Sequence, residues 1–307
     1  MSKRILLAGE RQGIVMDVDH FAVHDGPGIR TCIYLKGCAL SCAWCHSPES
    51  QSSVPQLFFA QSRCTGCGRC TVVCPEGVHH QEGSLHMLER ESCTGCGTCA
   101  EACPSGALSV SGRFMTADEV VREALADRVF YENSGGGVTL SGGEVLSQAA
   151  FARNVLSQLK GEGIHTLVET SGFGREEALL SLAEVTDLFY FDFKLADSGM
   201  FRRFTGGDPE VVMRNLKSLR AVTDHIVLRI PLIPGITDTA ENISAGFALA
   251  CELGIQSVHL LPYNASAGAK YAWTGREYPL GLLEAREGLH EELLALAPVG
   301  LDVEIMT

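Results

Sequence analysis

The sequence predicts an α/β fold of parallel strands and crossover helices, interrupted once by a cysteine-rich insert. Three observations predict it. Strand-like runs at 31–36, 137–140, 166–170, 188–194, 226–233 and 257–263 alternate with helix-like runs at about 148–161, 176–183, 209–221 and 240–253. Such alternation argues for parallel strands joined by right-handed crossovers. Glycines and charged residues collect where the strand-like runs end, the place where ligands gather in folds of this kind. Eight of the thirteen cysteines crowd into two runs between 64 and 103. Six β units suit an open sheet or a partial barrel, and periodicity leaves both open.

The first strand-like run leads to Cys38, Cys42 and Cys45 in the string C-A-L-S-C-A-W-C. A four-iron cluster takes four thiolates, so a trio leaves one iron open. An open iron points to catalysis rather than electron storage. The missing ligand is either a cysteine from elsewhere or a small molecule.

The insert follows. Cys64, Cys67, Cys70 and Cys74 precede Pro75, and Cys93, Cys96, Cys99 and Cys103 precede Pro104, each as C-x-x-C-x-x-C-x-x-x-C-P. That is the spacing of two-cluster bacterial ferredoxins, in which the fourth cysteine of each run ligates the other cluster. The expected sets are Cys64, Cys67, Cys70 and Cys103 on one cluster, and Cys93, Cys96, Cys99 and Cys74 on the other. Disulfide frameworks and zinc ribbons use other spacings. Residues 64–78 and 93–107 agree at nine of fifteen positions, an internal duplication offset by twenty-nine. The insert is bounded at 61–113, with 1–60 and 114–307 forming the main domain. Cys32 and Cys251 remain, in apolar surroundings that suit buried structural thiols. His79, His80 and His86 read as solvated loop residues of the insert.

After the insert, Thr116 opens a helix with T-A-D-E, a capping box. The strand ends then carry Ser141-Gly142-Gly143-Glu144, Glu169-Thr170-Ser171-Gly172, Asp192-Phe193-Lys194, Arg229 before Pro231, and Leu261-Pro262-Tyr263-Asn264. Each alone could be a turn or a surface charge. On consecutive strand ends facing an open iron, they read as one site for a zwitterionic, hydroxyl-bearing ligand. Glycines there let a ligand approach the backbone.

Composition bounds the function. The chain has 307 residues, 46% hydrophobic and 20% charged, enough to bury a large core. A net charge of −13 is the wrong sign for nucleic acid or an anionic membrane. The apolar run in residues 1–10 is too short for a secretory signal, and no stretch reaches the length of a membrane span. Reduced thiols without a signal suggest the cytoplasm.

The string C-x-x-x-C-x-W-C resembles that of radical S-adenosylmethionine (SAM) enzymes. Asp25-Gly26-Pro27-Gly28-Ile29-Arg30, Cys45-His46-x-Pro48-Glu49 and the two-cluster insert are similar to those of the glycyl-radical-enzyme activating enzymes, over essentially the whole chain. The resemblance implies a partial (β/α)6 radical SAM barrel with an inserted ferredoxin-like domain and three [4Fe-4S] clusters. Cys38, Cys42 and Cys45 would hold the catalytic cluster, and SAM would complete it through its amino and carboxylate groups. Trp44 and His46 would lie near the adenine. Gly142, Gly143 and Glu144 would meet the SAM amino group, and Asp192, Phe193 and Lys194 its ribose and carboxylate side. Glu169, Thr170 and Asp192 match positions that host a monovalent cation, although Glu169 replaces an aspartate. Arg229 and Asn264 complete the cofactor set, Asn264 standing where a histidine is frequent. Ser47 and Val145 also depart from the usual pattern. Asp25 would contact the glycine loop of a partner enzyme.

The implied reaction is reductive cleavage of SAM to a 5′-deoxyadenosyl radical, which takes a Cα hydrogen from a glycine of a glycyl radical enzyme. A ferredoxin or flavodoxin would supply the electron, relayed by the insert. Two other classes fit part of the sequence. A radical SAM enzyme acting on another substrate leaves the D-G-P-G-I-R hexapeptide without a purpose. A non-enzymatic iron–sulfur carrier leaves Cys38, Cys42 and Cys45 without one.

Overall fold

The computed structural model describes residues 11–83, 85–281, 283–284 and 286–306. Residues 1–10, whose composition argues against a secretory signal, lie outside them. The strands are β1 Gln12–Ala22, β2 Arg30–Leu35, β3 Gln56–Phe59, β4 His79–Glu82, β5 Leu85–Leu88, β6 Leu108–Ser111, β7 Arg113–Thr116, β8 Gly137–Gly142, β9 His165–Thr170, β10 Leu188–Asp192, β11 Ile226–Leu232, β12 Ser257–Pro262 and β13 Asp302–Ile305.

Nine of these form one sheet in the order β13-β12-β11-β10-β9-β8-β2-β1-β7. From β2 to β13 every pairing is parallel, and β1 adds antiparallel to β2 and β7 to β1. All six strand-like runs are therefore strands. β1, β7 and β13 extend the sheet beyond them; β7 and β13 are four-residue edge strands, too short to carry much periodicity.

Sidedness follows from the two-residue repeat of a strand. In β11, Ile226, Leu228, Ile230 and Leu232 are buried in the main core with the crossover helices. The alternate positions Arg229 and Pro231 face a cavity on the other side. The helices obey their local signals. Thr116 caps Ala117–Leu125 through a capping box with Glu119, and Thr239 caps Ala240–Leu253, which stops at left-handed Gly254.

The insert has its own layer. β3 pairs antiparallel with β6, and β4 with β5 in a hairpin. Leu57, Phe59, Cys99, Ala107 and Leu108 form its small core. Its sheet therefore reaches back to Gln56, ahead of the boundary expected at 61, and β7 rejoins the main sheet at Arg113. Arg90 ties it to the rest of the chain, donating to the carbonyl of Leu57 within the insert and to that of Trp273 outside it, at 2.8 Å each.

Two readings of the sequence need correction. Cys32 is buried in β2 as expected, but Cys251 is exposed in the last turn of its helix. Among the three insert histidines only His80 is solvated. His79 and His86 occupy inward positions of the β4–β5 hairpin and are 4% and 7% exposed. Hairpin alternation sends every second side chain inward whatever its polarity. No helix among the described residues is long and apolar enough to cross a membrane.

Candidate functional site

At the carboxyl ends of β2 and β8–β12 lies an open cavity of about 240 Å³. Cys38, Cys42 and Cys45 line it together, on the loop that leaves β2. Trp44, 5% exposed, packs its ring 6.3 Å from Phe204 while lining the same cavity. His46 stands exposed at its rim. Gly142 and Gly143 bring β8 against this loop. A Cβ on Gly142, at φ 116°, would sit 2.3 Å from Leu35 N, and one on Gly143 2.4 Å from the Gly37 carbonyl. Backbone-to-backbone approach this close requires glycine.

Four charged groups converge on the wall opposite the cysteines. Arg229 donates to Glu169 Oε1 at 2.5 Å and to Asp192 Oδ1 at 3.2 Å. Lys194 lies 3.2 Å from Asp192 Oδ2, and Ser141 Oγ donates to Glu169 Oε2 at 2.5 Å. Burial works against the Asp192 carboxylate, but Lys194 and Arg229 outweigh it and hold it below its ordinary value. Burial pushes Glu169 up, against the pull of Arg229. Lys194 stays charged: burial opposes it, and Asp192 with the nearby thiols overcomes that. The guanidinium of Arg229 thus lies between Glu169 and Asp192 and bridges the two carboxylates.

The cysteine trio suits a metal cluster. Burial pushes the Cys38 thiol up to about 12 and the Cys42 thiol up to about 11, and raises Cys45. Bare thiolates are strongly disfavoured here, whereas iron ligation would neutralise them. Among the described residues no fourth cysteine lines the cavity.

Some expected contacts turn away. Phe193 is buried and faces the helix Ala240–Leu253, against Gly246, because it alternates with Asp192 and Lys194. Asn264 is exposed and caps the turn Ala265–Gly268 by accepting from Ser266 N; it does not line the cavity. The Glu144 carboxylate is also turned from it. It is 1% exposed and accepts from Thr170 Oγ1 at 2.6 Å, Ser171 N at 2.9 Å, Ser171 Oγ at 2.5 Å and Leu146 N at 3.1 Å. It braces the strand ends that carry Gly143 and Thr170. Asp25 lies on the loop entering β2 and folds back along the strands. Its carbonyl accepts from Thr139 Oγ1 at 2.8 Å, and its carboxylate faces Cys32 and raises Glu169.

Sequence reasoning missed a second set. Lys36 is 1% exposed, donates to the Glu49 carbonyl at 2.5 Å, and is lowered by burial to about 8. Lys270 reaches the buried Glu49 carboxylate at 2.8 Å. These pairs pin the loop after Cys45 to the strands. Their partners lie 13 and 221 residues apart in sequence, beyond any local signal.

In the insert, Cys64, Cys67, Cys70 and Cys103 line one small cavity. Cys74, Cys93, Cys96 and Cys99 line a second. Each cavity gathers four sulfurs and thus the donor set of a four-iron cluster. The fourth cysteine of each run has crossed to the other cavity.

The sequence profile of the Radical SAM superfamily matches residues 32–244. The chain is 40% identical to the benzylsuccinate synthase activating enzyme of Thauera aromatica over 86% of its own length and 82% of that protein. It is 39% identical to the trans-4-hydroxy-L-proline dehydratase activating enzyme of Clostridioides difficile, over 86% and 89%. It is 37% identical to the choline trimethylamine-lyase activating enzyme of Oleidesulfovibrio alaskensis, over 88% and 90%. Among solved structures, SuiB of Streptococcus suis, bound to its precursor peptide SuiA, shares the fold at a TM-score of 0.55 and 13% identity, over 90% of this chain and 48% of that one. Three cavity cysteines on the loop after the first parallel strand, and these relatives over most of the chain, lead to one conclusion. The chain belongs to the radical SAM superfamily, among the glycyl-radical-enzyme activating enzymes.

Proposed function

We propose that this enzyme binds a [4Fe-4S] cluster through Cys38, Cys42 and Cys45, with SAM completing it, and installs a radical on a glycine of a partner glycyl radical enzyme. The observation that carries this is the meeting, in one cavity, of three cysteines with Asp192, Lys194 and Arg229. When bound, the cluster and SAM supply a 5′-deoxyadenosyl radical by reductive cleavage. The chain's own work is to bind, orient and exclude. Lys194 and Asp192 present paired charges that suit the SAM amino acid group. Gly142 and Gly143 offer backbone polar atoms at close approach. Trp44 and His46 form one flank for the adenine, and the surrounding apolar wall excludes water and stray hydrogen donors.

The sheet is read as a partial (β/α)6 barrel. Arg229 on β11 reaches Glu169 on β9 across the intervening β10, which a concave face favours. Asp25, near enough to Glu169 to raise its carboxyl, is read as a contact for the partner's glycine loop. Reduced thiols suit the cytoplasm.

Reduced protein with SAM should release 5′-deoxyadenosine, and addition of a glycyl radical enzyme encoded beside it should give an EPR doublet on that partner. Replacing Cys38, Cys42 and Cys45 by alanine should abolish both. Release of 5′-deoxyadenosine without a doublet on such a partner would overturn the assignment in favour of another substrate.

The insert is read as a ferredoxin-like domain with two further clusters that relay electrons from a ferredoxin or flavodoxin. The two four-sulfur cavities support this. With Cys67 and Cys96 replaced by alanine, activation by the protein reductant should fail while a strong chemical reductant still works. Unchanged activation by the protein reductant would end the relay reading.

A further inference from the structure

The β4–β5 hairpin joins the two cysteine runs of the insert, and His79 and His86 stack across it. Their ring centroids are 5.0 Å apart with planes 23° from parallel, and His79 Nδ1 lies 2.9 Å from His86 Nε2. The same Nε2 is 3.5 Å from Cys70 Sγ. His86 lines the cavity of Cys64, Cys67, Cys70 and Cys103, whereas His79 lines that of Cys74, Cys93, Cys96 and Cys99. His79 Nε2 and His86 Nδ1 are buried without a partner among the described residues. Buried ring nitrogens with no partner are unusual and call for an acceptor or donor of another kind.

Resting on the two-cluster reading of the insert, we propose that the His79–His86 pair is a hydrogen-bonded bridge between the two cluster sites, donating to the Cys70 sulfur on one side and into the second cavity on the other, and so raising both reduction potentials. An iron-bound cysteine is a thiolate and only accepts, so the nitrogen facing Cys70 carries the proton. That makes His86 an Nε2–H donor whose one proton is shared between Cys70 Sγ at 3.5 Å and His79 Nδ1 at 2.9 Å. The Nδ1 of His79, against the same nitrogen, is then the lone-pair side, which puts the His79 proton on Nε2. The acceptor that this buried N–H lacks is what a sulfur in the second cavity offers. Hydrogen bonds to cluster sulfurs favour the reduced, more negative form and raise the potential. Neither histidine comes from the duplication: twenty-nine residues on stand Leu108 and Met115. The bridge is therefore an addition between the two halves, held by Phe59 edge-on against His86 at 4.5 Å between centroids.

The test is an EPR-monitored redox titration of the full chain, loaded anaerobically to about twelve irons and saturated with SAM. His86→Phe and His79→Phe keep a ring in place and remove the donor. Each should make reduction of one insert couple about tenfold less favourable, a fall of about 59 mV for a one-electron couple, and the two variants should move different couples. His86→Gln, which keeps an amide N–H, should restore part of its shift. Full iron content with both couples unmoved would overturn the bridge. A wild-type chain that loads only about four irons would instead overturn the two-cluster reading itself. Zinc bound by Cys70, His79 and His86 with loss of one cluster would show that these residues form a metal site of their own.

Discussion

Arg229→Met tests the charged wall of the cavity most directly. The guanidinium is 13% exposed and joins Glu169, 10% exposed, to Asp192, 22% exposed, at 2.5 and 3.2 Å. At an effective dielectric constant of about 20 the two contacts contribute roughly 5–7 kcal/mol gross each. Desolvating the partners offsets most of that in the intact site. Removing only the cation keeps the desolvation and loses the attraction, so the net loss should be about 3–5 kcal/mol. Arg229 also stacks over the Tyr190 ring at 5.2 Å, which adds about 1 kcal/mol. The two carboxylates would then face each other with Lys194 beside only one of them. Protonation of Glu169 relieves the repulsion, so the deficit should be smaller at acid than at alkaline pH. Adding Glu169→Gln should recover most of the loss, since the unpaired charge is gone. Urea denaturation of the chain under anaerobic conditions measures all three proteins. A loss below about 1 kcal/mol, or a double variant as unstable as the single, would refute the reasoning.

Lys36, lowered by burial from 10.5 to about 8, makes stability depend on pH. Between those values the unfolded chain binds the proton that the folded chain has released, so stability rises with pH across the window, by about 3 kcal/mol in all. Lys36→Met should flatten that slope in denaturation curves taken at several pH values. Gly143→Ala places a methyl 2.4 Å from the Gly37 carbonyl and 2.9 Å from that of Ser50. It should weaken SAM binding at least about tenfold by calorimetry, about 1.4 kcal/mol. Gly161→Ala, with nothing within 4 Å, should be neutral or stabilising by up to about 1 kcal/mol. Anaerobic iron analysis should give about twelve irons, and about eight after Cys38, Cys42 and Cys45 become alanine.

Much of the site was legible because its chemistry is local in sequence. Three cysteines within eight residues, Gly142 beside Gly143, and Asp192 two residues from Lys194 need no long-range information. Phe193 and Asn264 were misplaced for the opposite reason. The face on which a strand-end residue falls is set by register and by where the strand stops, and Asn264 lies just beyond β12 in a turn of its own. Glu144 lies within its motif, yet four donors from neighbouring backbone and hydroxyls claim its carboxylate, and those donors come from both sides of the β8–β9 pair.

The sequence by itself determined the alternation of strands and helices, the cysteine trio and the two four-cysteine runs, because periodicity and ligand spacing are properties of short segments. Only the tertiary structure decided which residues share a cavity. It set Arg229 between Glu169 and Asp192, buried Lys36 under the Glu49 loop, and turned His79 and His86 inward. These are contacts between segments brought together by sheet order and packing, and burial gives them their altered charges.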